Sequence, residues 1–130
     1  MSCRILAKLG LFKETTGHVS ARSGAGRMLI RGRGGDETGL LYTRPADIVL
    51  SDFEGAPIKN RAGLKTPNEA CIHGEIYKTK PRVGGVVHAH PPSIVLASIA
   101  GIALKPIYGG YDPQGMRLAL RGVPLFQSSL

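Results

Sequence analysis

The chain has 130 residues, 42% of them hydrophobic, which is enough for one core without disulfide cross-links, so we expect a single domain over residues 1–130. The formal net charge is +8, but the 17 Lys and Arg residues are spread along the chain and aromatic residues are only 5%, which argues against nucleic-acid binding. Cys3 and Cys71 do not have the spacing of a disulfide framework, so we expect reduced, buried thiols. The sequence shows no signal peptide and no apolar run long enough to span a bilayer, so we expect a cytoplasmic protein that is not membrane-bound.

The first half of the chain reads as one helix followed by short strands. Apolar residues at helical spacing predict a helix over residues 3–12. Strands are predicted over 18–22, 27–31, 40–43 and 48–53, of which the first two form a hairpin. The glycine-rich segment 32–39, GRGGDETG, is a loop that either allows close approach of a ligand or is a flexible surface segment.

The segment TPNEACIHGEIYKTKP predicts the helix on which the chemistry depends. Thr66 as N-cap, Pro67 at the first position and Glu69 at the third form a capping box, which gives Glu69 a structural role. His73 and Tyr77 lie on the helix face toward the core. We therefore expect His73 to be a hydrogen-bonded packing residue and not a metal ligand.

The segment VGGVVHAHPP predicts a buried strand that carries two histidines. His88 and His90 are two residues apart, so they project to the same side of the strand, where two imidazoles can chelate a metal. The alternative is that both are polar residues at a strand end, each bonded to the backbone.

The last part of the chain predicts two further helices and two strands. Helices are expected over 91–100, ended by Gly101, and from Asp112 to Leu120, ended by Gly122, with strands over 104–108 and 123–126. The alternation of helices and strands predicts an α/β fold whose central mixed sheet is covered by helices on both faces.

The spacing of Glu69, His73 and Tyr77, followed by His88-x-His90, resembles the central motif of the class II aldolase/adducin family, and the likeness runs from Gly17 to about Arg121. The resemblance implies a three-layer α/β/α fold with a largely antiparallel sheet. It also implies a divalent metal ion (zinc, manganese or iron) bound by His88 and His90, with Glu69 as the catalytic acid/base. A homotetramer with active sites between subunits is implied as well.

The family resemblance also bears on the substrate. Phosphosugar aldolases of the family hold phosphate with a Gly-Asn pair and two serines before the glutamate, whereas this chain has Gly17-His18 and Pro67-Asn68. These departures argue against a phosphosugar. Arginine forks suit carboxylates, so we expect a small anionic substrate bound by His18, Ser20, Arg31, Arg33, Arg44 and Asn68.

The resulting hypothesis is a metal-dependent carbon–carbon lyase, preferably a decarboxylase of a hydroxy or oxo acid, including hydroxyaromatic acids. Alternatives are an aldolase or epimerase acting on a small sugar-like substrate, and an inactive, adducin-like interaction module. Family members bind the metal with a third, downstream histidine, so we expect this chain to be a fragment whose C-terminal part is missing. In the family the first helix is usually preceded by further helical sequence, so the N-terminus is expected to be either clipped or short.

Overall fold

The computed structural model of the chain describes residues 1–35, 37–59, 63–109 and 111–124. Two compact units are formed, Met1–Pro91 and Pro92–Leu130. None of the helices in the described ranges is long and apolar enough to cross a membrane.

A five-stranded antiparallel sheet organises the first unit. The strands lie in the order β4-β3-β2-β1-β5, and each neighbouring pair is antiparallel. The hairpin predicted over 18–22 and 27–31 is confirmed at both strands. The elements of this unit are α1 (Ser2–Lys8), β1 (His18–Arg22), β2 (Arg27–Arg31), β3 (Ile48–Asp52), β4 (Pro57–Lys59), α2 (Ala70–Thr79) and β5 (Gly85–His88).

Helices pack on both faces of this sheet. On one face Met28 and Ile30 of β2 are fully buried against Ala70 and Tyr77 of α2. Val19, which points to the opposite face of β1, packs in a second cluster that contains Cys3 of α1, Phe12 and Leu40. Burying each large apolar side chain contributes roughly 1.5–3 kcal/mol, so the two clusters hold the helices on the sheet. The expected three-layer arrangement is confirmed.

The second unit contains α3 (Pro92–Ile99) and α4 (Pro113–Arg121). Asp112 caps α4 because its side chain accepts hydrogen bonds from the backbone N–H groups of Gln114 and Gly115. Gly122 ends the helix at φ +82, in the left-handed region that glycine adopts without strain. Both predicted helices are therefore confirmed to within one or two residues.

Three predicted strands differ from the structure. Residues 40–43 were expected to be extended, but Leu40–Tyr42 form a 3₁₀ turn and the Thr43 hydroxyl donates to the Leu40 carbonyl, so this backbone is satisfied locally. Residues 104–108 form no strand. Residues 123–124 are likewise not in a strand, and residues 125–126 of that prediction lie outside the described residues, as does Asp36 of the glycine loop.

Two predictions of burial are also corrected. The strand β5 ends at His88 and is partly exposed, because it is the edge of the sheet in the described parts of the chain. His90 follows two residues beyond its end. Of the two thiols, Cys3 is buried and Cys71 is exposed, since Cys71 lies on the solvent side of α2.

Candidate active site

The start of α2 leaves the Glu69 carboxylate free of the predicted capping box. The helix begins at Ala70, with Glu69 itself as N-cap residue, and no side chain caps it. The Thr66 hydroxyl instead donates to the Gly55 carbonyl oxygen at 2.6 Å. The capping-box prediction is therefore wrong, because the Thr66 hydroxyl bonds to the turn after β3 and not to the backbone of the helix.

Close packing of α2 on the turn after β3 fixes the position of the helix. A Cβ atom built on Gly74 would lie 1.7 Å from the Phe53 carbonyl oxygen, so only glycine permits this approach. One turn of helix then separates His73 from Tyr77, and both side chains face β1, where they are buried. This contact could not be predicted from the sequence, because no neighbouring residue distinguishes Gly74 from a glycine that merely weakens a helix.

Four side chains from β1 and α2 form a buried network, consisting of His18, His73, Ser20 and Tyr77. The Nδ1 atom of His18 lies 2.8 Å from Nε2 of His73, and Nδ1 of His73 lies 2.6 Å from Oγ of Ser20. The Ser20 hydroxyl also lies 2.8 Å from the Tyr77 hydroxyl. Both nitrogens of His73 are thus engaged, as expected of a packing residue.

His18 links the buried network to Glu69 and His88. Its Nε2 atom lies 3.5 Å from Oε2 of Glu69. In the sheet His18 is paired with His88, and the centroids of their rings are 4.6 Å apart. The antiparallel pairing of β1 with β5 therefore brings the helix carboxylate and the strand histidines together.

The rings of His88 and His90 lie side by side. Their planes are stacked at 10°, and their Nε2 atoms are 2.7 Å apart, within hydrogen-bond distance. Neutral imidazole nitrogens are common ligands of divalent cations, so this pair is the candidate for two of the ligands. Within the described ranges no cluster of three or more His, Cys, Asp or Glu side chains completes such a site.

The environment favours the neutral form of His18, His73 and His88, which is the form that binds a metal. Burial and, to a smaller extent, the neighbouring His88 lower the pKa of His18 to about 4, while Glu69 opposes the shift. Burial likewise lowers the pKa of His73 to about 4. The pKa of His88 is lowered by burial and by His90.

Glu69 is held in its ionised form. Its pKa is lowered first by the hydrogen bond from its own backbone N–H, against an opposing effect of burial, and then by His18. The side chain is about one-third exposed, at 35%, so it remains open to a ligand.

The predicted substrate-binding arginines are paired with carboxylates. Arg31 contacts Glu37, the Nε atom of Arg33 lies 3.3 Å from the same carboxylate, and Arg44 lies 3.3 Å from Asp47. Arg31 and Arg44 line a cavity of about 220 Å³ beside the glycine loop. Of the three, only Arg33 is near enough to His18 to lower its pKa.

Asn68 and Ser20, which were also predicted to bind the substrate, differ in exposure and in their hydrogen bonds. Asn68 is exposed next to Glu69. Ser20 is buried with its hydroxyl engaged by His73 and Tyr77, so the geometry favours a supporting role for it over substrate contact. Sequence reasoning did not connect Ser20 and Tyr77 with His18, although the two-residue spacing in β1 and the four-residue spacing in α2 were both visible.

Comparisons with known proteins point to one protein family. The family model of the Class II Aldolase and Adducin N-terminal domain matches residues 1–129. The chain is 44% identical over 132 residues to a 3,4-dihydroxyphthalate decarboxylase of Rhodococcus jostii, an alignment that covers 99% of this chain and 54% of that protein. A 3,4-dihydroxyphthalate decarboxylase of Arthrobacter keyseri is 42% identical over 129 residues, covering 97% of this chain and 52% of that protein. The chain thus spans about half the length of these relatives.

The fold comparison leads to the same family. The crystal structure of an L-fuculose-1-phosphate aldolase from Thermus thermophilus superposes with a TM-score of 0.65 and 28% identity, over 88% of this chain and 53% of the aldolase. Since the family model covers all but one residue of the sequence, the family is established. The chain belongs to the class II aldolase and adducin family.

Proposed function

We propose that this protein is a divalent-metal-dependent decarboxylase of a hydroxylated aromatic carboxylic acid. The observation that carries the proposal is the convergence of the Glu69 carboxylate with His18, His88 and His90 at one end of β1 and β5. Relatives named as 3,4-dihydroxyphthalate decarboxylases align with nearly the whole chain and support this substrate class.

Enzymes of the family depend on a divalent metal, and His88 and His90 are the residues that would hold it here. Imidazole nitrogens suit zinc and iron, whereas manganese prefers oxygen ligands, and a third ligand would come from outside the described residues. When bound, such a cation supplies a Lewis acid that stabilises negative charge developing on a substrate oxygen.

Glu69 is the residue that we assign to proton transfer. Loss of carbon dioxide breaks the bond between the ring carbon and the carboxylate and leaves the electron pair on that carbon. The Glu69 carboxylate first accepts the proton of a ring hydroxyl group of the bound acid and then delivers it to this carbon. This forms the new carbon–hydrogen bond and leaves Glu69 as a carboxylate again, while water reprotonates the ring oxygen. The partial exposure of this side chain is compatible with both steps.

The residues that would bind the substrate acid lie around Glu69 and the histidines. Arg33 is about half exposed and electrostatically coupled to His18, so it suits a substrate carboxylate better than Arg31, which is buried against Glu37. Asn68 is exposed beside Glu69 and can donate to a substrate oxygen. Arg44 takes part less directly, from the wall of the neighbouring cavity.

We further propose that the protein works as a homotetramer in the cytoplasm. Large apolar side chains of the second unit are exposed, among them Ile99, Ile107 and Tyr111, and contact with a neighbouring copy would remove them from water. Both cysteines are free, in keeping with a reducing compartment.

The test is a turnover assay with the protein supplied with manganese, zinc or iron. We expect carbon dioxide release from 3,4-dihydroxyphthalate or a related hydroxyaromatic acid, and no cleavage of L-fuculose 1-phosphate. Cleavage of the sugar phosphate alone would replace the decarboxylase with an aldolase. A folded protein that binds none of the three metals and turns over neither substrate would favour the interaction module.

A further inference from the structure

The hydrogen bonds of the buried network of His18, His73, Ser20 and Tyr77 can all run in one direction or all run in the opposite direction. In the inward direction His18 Nδ1–H donates to His73, His73 donates to Ser20, and Ser20 donates to Tyr77. In the outward direction Tyr77 donates to Ser20, Ser20 to His73, and His73 Nε2–H to His18 Nδ1. A neutral imidazole carries one N–H, so the remaining arrangement has Ser20 accepting from both His73 and Tyr77, which leaves the Ser20 hydrogen without an acceptor among the described residues.

The Tyr77 end of the network favours the outward direction. Tyr77 is buried, and among the described residues its hydroxyl has Ser20 as its only hydrogen-bond partner. In the inward direction this hydroxyl accepts from Ser20, which leaves its own hydrogen without an acceptor. In the outward direction that hydrogen is donated to Ser20, and all three donors inside the network are paired. The N–H left over is on Nε2 of His18, beside the Glu69 carboxylate. An unsatisfied buried donor is costly, so the Tyr77 end favours the outward direction.

The His18 end favours the same direction independently. In the outward direction the His18 proton is on Nε2, 3.5 Å from Oε2 of Glu69, where an N–H is attracted to a carboxylate. In the inward direction Nε2 carries a lone pair that faces the negative oxygen. This nitrogen is buried and has no closer partner in the described part of the chain, so no other group relieves that repulsion.

We propose that Tyr77, Ser20 and His73 are positioning residues that hold His18 in the Nε2–H tautomer and aim this N–H at Oε2 of Glu69. The inference rests on the proposed function, because it assigns these residues to the orientation of the proton-transfer group. With Oε2 held by His18, the other carboxylate oxygen, Oε1, faces the substrate and carries the proton that Glu69 moves. In this arrangement His18 takes no part in binding the substrate directly.

The tautomers can be read by NMR without turnover. The chain has four histidines, so two-bond correlations between ring nitrogens and ring protons in 15N-histidine-labelled protein are assignable. The sample is kept metal-free with a chelator. We expect His18 and His73 both to be protonated on Nε2, by an excess of about tenfold or more, as one buried unsatisfied donor would impose. Protonation of His18 on Nδ1 would overturn the proposal.

Matched serine variants test whether the network sets the tautomer. In Ser20→Ala the Tyr77 hydrogen has no acceptor in either direction, so Tyr77 no longer favours the outward direction. The 15N chemical shifts of His18 Nδ1 and Nε2 should therefore move toward each other. Ser20→Thr keeps the hydroxyl and should restore the wild-type shifts. Ser51→Ala is the control, because Ser51 is buried on the same sheet face with no hydrogen-bond partner among the described residues, and its removal should leave the shifts unchanged.

A kinetic measurement separates orientation from general stability. Because His18 positions Glu69 and does not bind the acid, Ser20→Ala should lower kcat by about tenfold, comparable to one lost hydrogen bond, with KM little changed. Unchanged His18 shifts in Ser20→Ala would show that Glu69 alone selects the tautomer and would remove Tyr77 and Ser20 from the proposal. Failure of the decarboxylase assay would leave the tautomer result standing, so the two proposals fail separately.

Discussion

His18 and His88 lie opposite each other on adjacent antiparallel strands, with ring centroids 4.6 Å apart. This pairing joins two parts of the site that are 70 residues apart in sequence: His18 reaches Glu69 on one side, and His88 meets His90 on the other. The acid/base group and the candidate metal ligands are therefore connected through the sheet itself. A shift of one residue in the pairing of β1 with β5 would turn His18 to the opposite face of the sheet and separate them.

Glu69→Gln should abolish most of the turnover and spare metal binding. Glutamine keeps the size and hydrogen-bonding reach of the side chain but cannot deliver a proton, so we expect carbon dioxide release to fall by about 10²–10⁴-fold. Steady-state assays on the metal-loaded protein measure the loss. Metal content should stay the same as in the wild type, because His88 and His90 are intact.

Glu75→Gln is the matched control for this substitution. Glu75 lies in the same helix, is exposed and forms an ion pair with Lys78, an exposed contact worth roughly 0–1 kcal/mol. We expect turnover close to the wild-type rate. Equal losses in both variants would trace the effect to the helix and remove Glu69 from the proton-transfer role.

Replacing either His88 or His90 with alanine should weaken metal binding. Each change removes one of two converging imidazole nitrogens, and loss of even an outer-shell partner typically weakens metal affinity by about 10–100-fold, so we expect at least that much. Titration of the metal-free protein with zinc, followed by calorimetry, gives the affinity. Val87→Ala, an exposed change on the same strand, should leave it unaltered; zinc bound equally well by all three variants would place the metal elsewhere.

Much of the fold could be predicted because the elements concerned are specified locally. The β1–β2 hairpin has alternating residues around glycines, and α4 has Asp112, Pro113 and Gly122 at its two ends, so both were found at nearly their observed bounds. Residues 40–43 are apolar like a strand, but they are placed by packing of Leu40 against Cys3 and Phe12. Such packing depends on distant residues, which periodicity does not reveal.

The candidate site was predictable in its residues but not in its connections. Glu69, His88 and His90 stand out by residue type and spacing. The buried network depends on which residues of β1 lie under α2, a relation between segments about 55 residues apart. The arginines were predicted from the fit of their forked guanidinium groups to a carboxylate and from their position around the glycine loop. The carboxylates of Glu37 and Asp47 that pair with them became apparent only in three dimensions.

Acid should destabilise the metal-free protein well above the pH at which carboxylates titrate. The pKa values of His18 and His73 are lowered to about 4, whereas an unfolded histidine has a pKa of about 6.5. Between these values the unfolded chain binds more protons, so the stability is fully present above pH 6.5 and is lost as the pH falls toward 4. We expect unfolding free energy to drop by about 2 kcal/mol or more from pH 7 to pH 5.

Urea unfolding at a series of pH values measures this dependence. His73→Gln removes one of the two buried imidazoles and should flatten the decrease between pH 6.5 and 5, even where it lowers the overall stability. A variant with the same pH slope as the wild type would mean that His73 does not contribute to the acid sensitivity.

Gly74→Ala sets two opposing effects against each other. In a helix interior alanine is favoured over glycine by roughly 0.5–1 kcal/mol, so propensity alone predicts a more stable protein. The new Cβ, however, would lie 1.7 Å from the Phe53 carbonyl oxygen, which is backbone and cannot move aside as a flexible side chain would. Overpacking of this kind costs typically about 1–3 kcal/mol and more at so short a distance, so we expect the clash to win and the melting temperature to fall.

The same substitution at Gly84 isolates the effect of the clash. A Cβ atom there meets nothing within 4 Å, so Gly84→Ala should leave stability nearly unchanged. Because relief of the clash at Gly74 requires α2 to move away from β3, it would also draw His73 and Tyr77 away from Ser20. Gly74→Ala should therefore disturb the His18 tautomer as well as the stability. A variant more stable than the wild type, with an intact tautomer, would show that α2 does not need this close approach to complete the site.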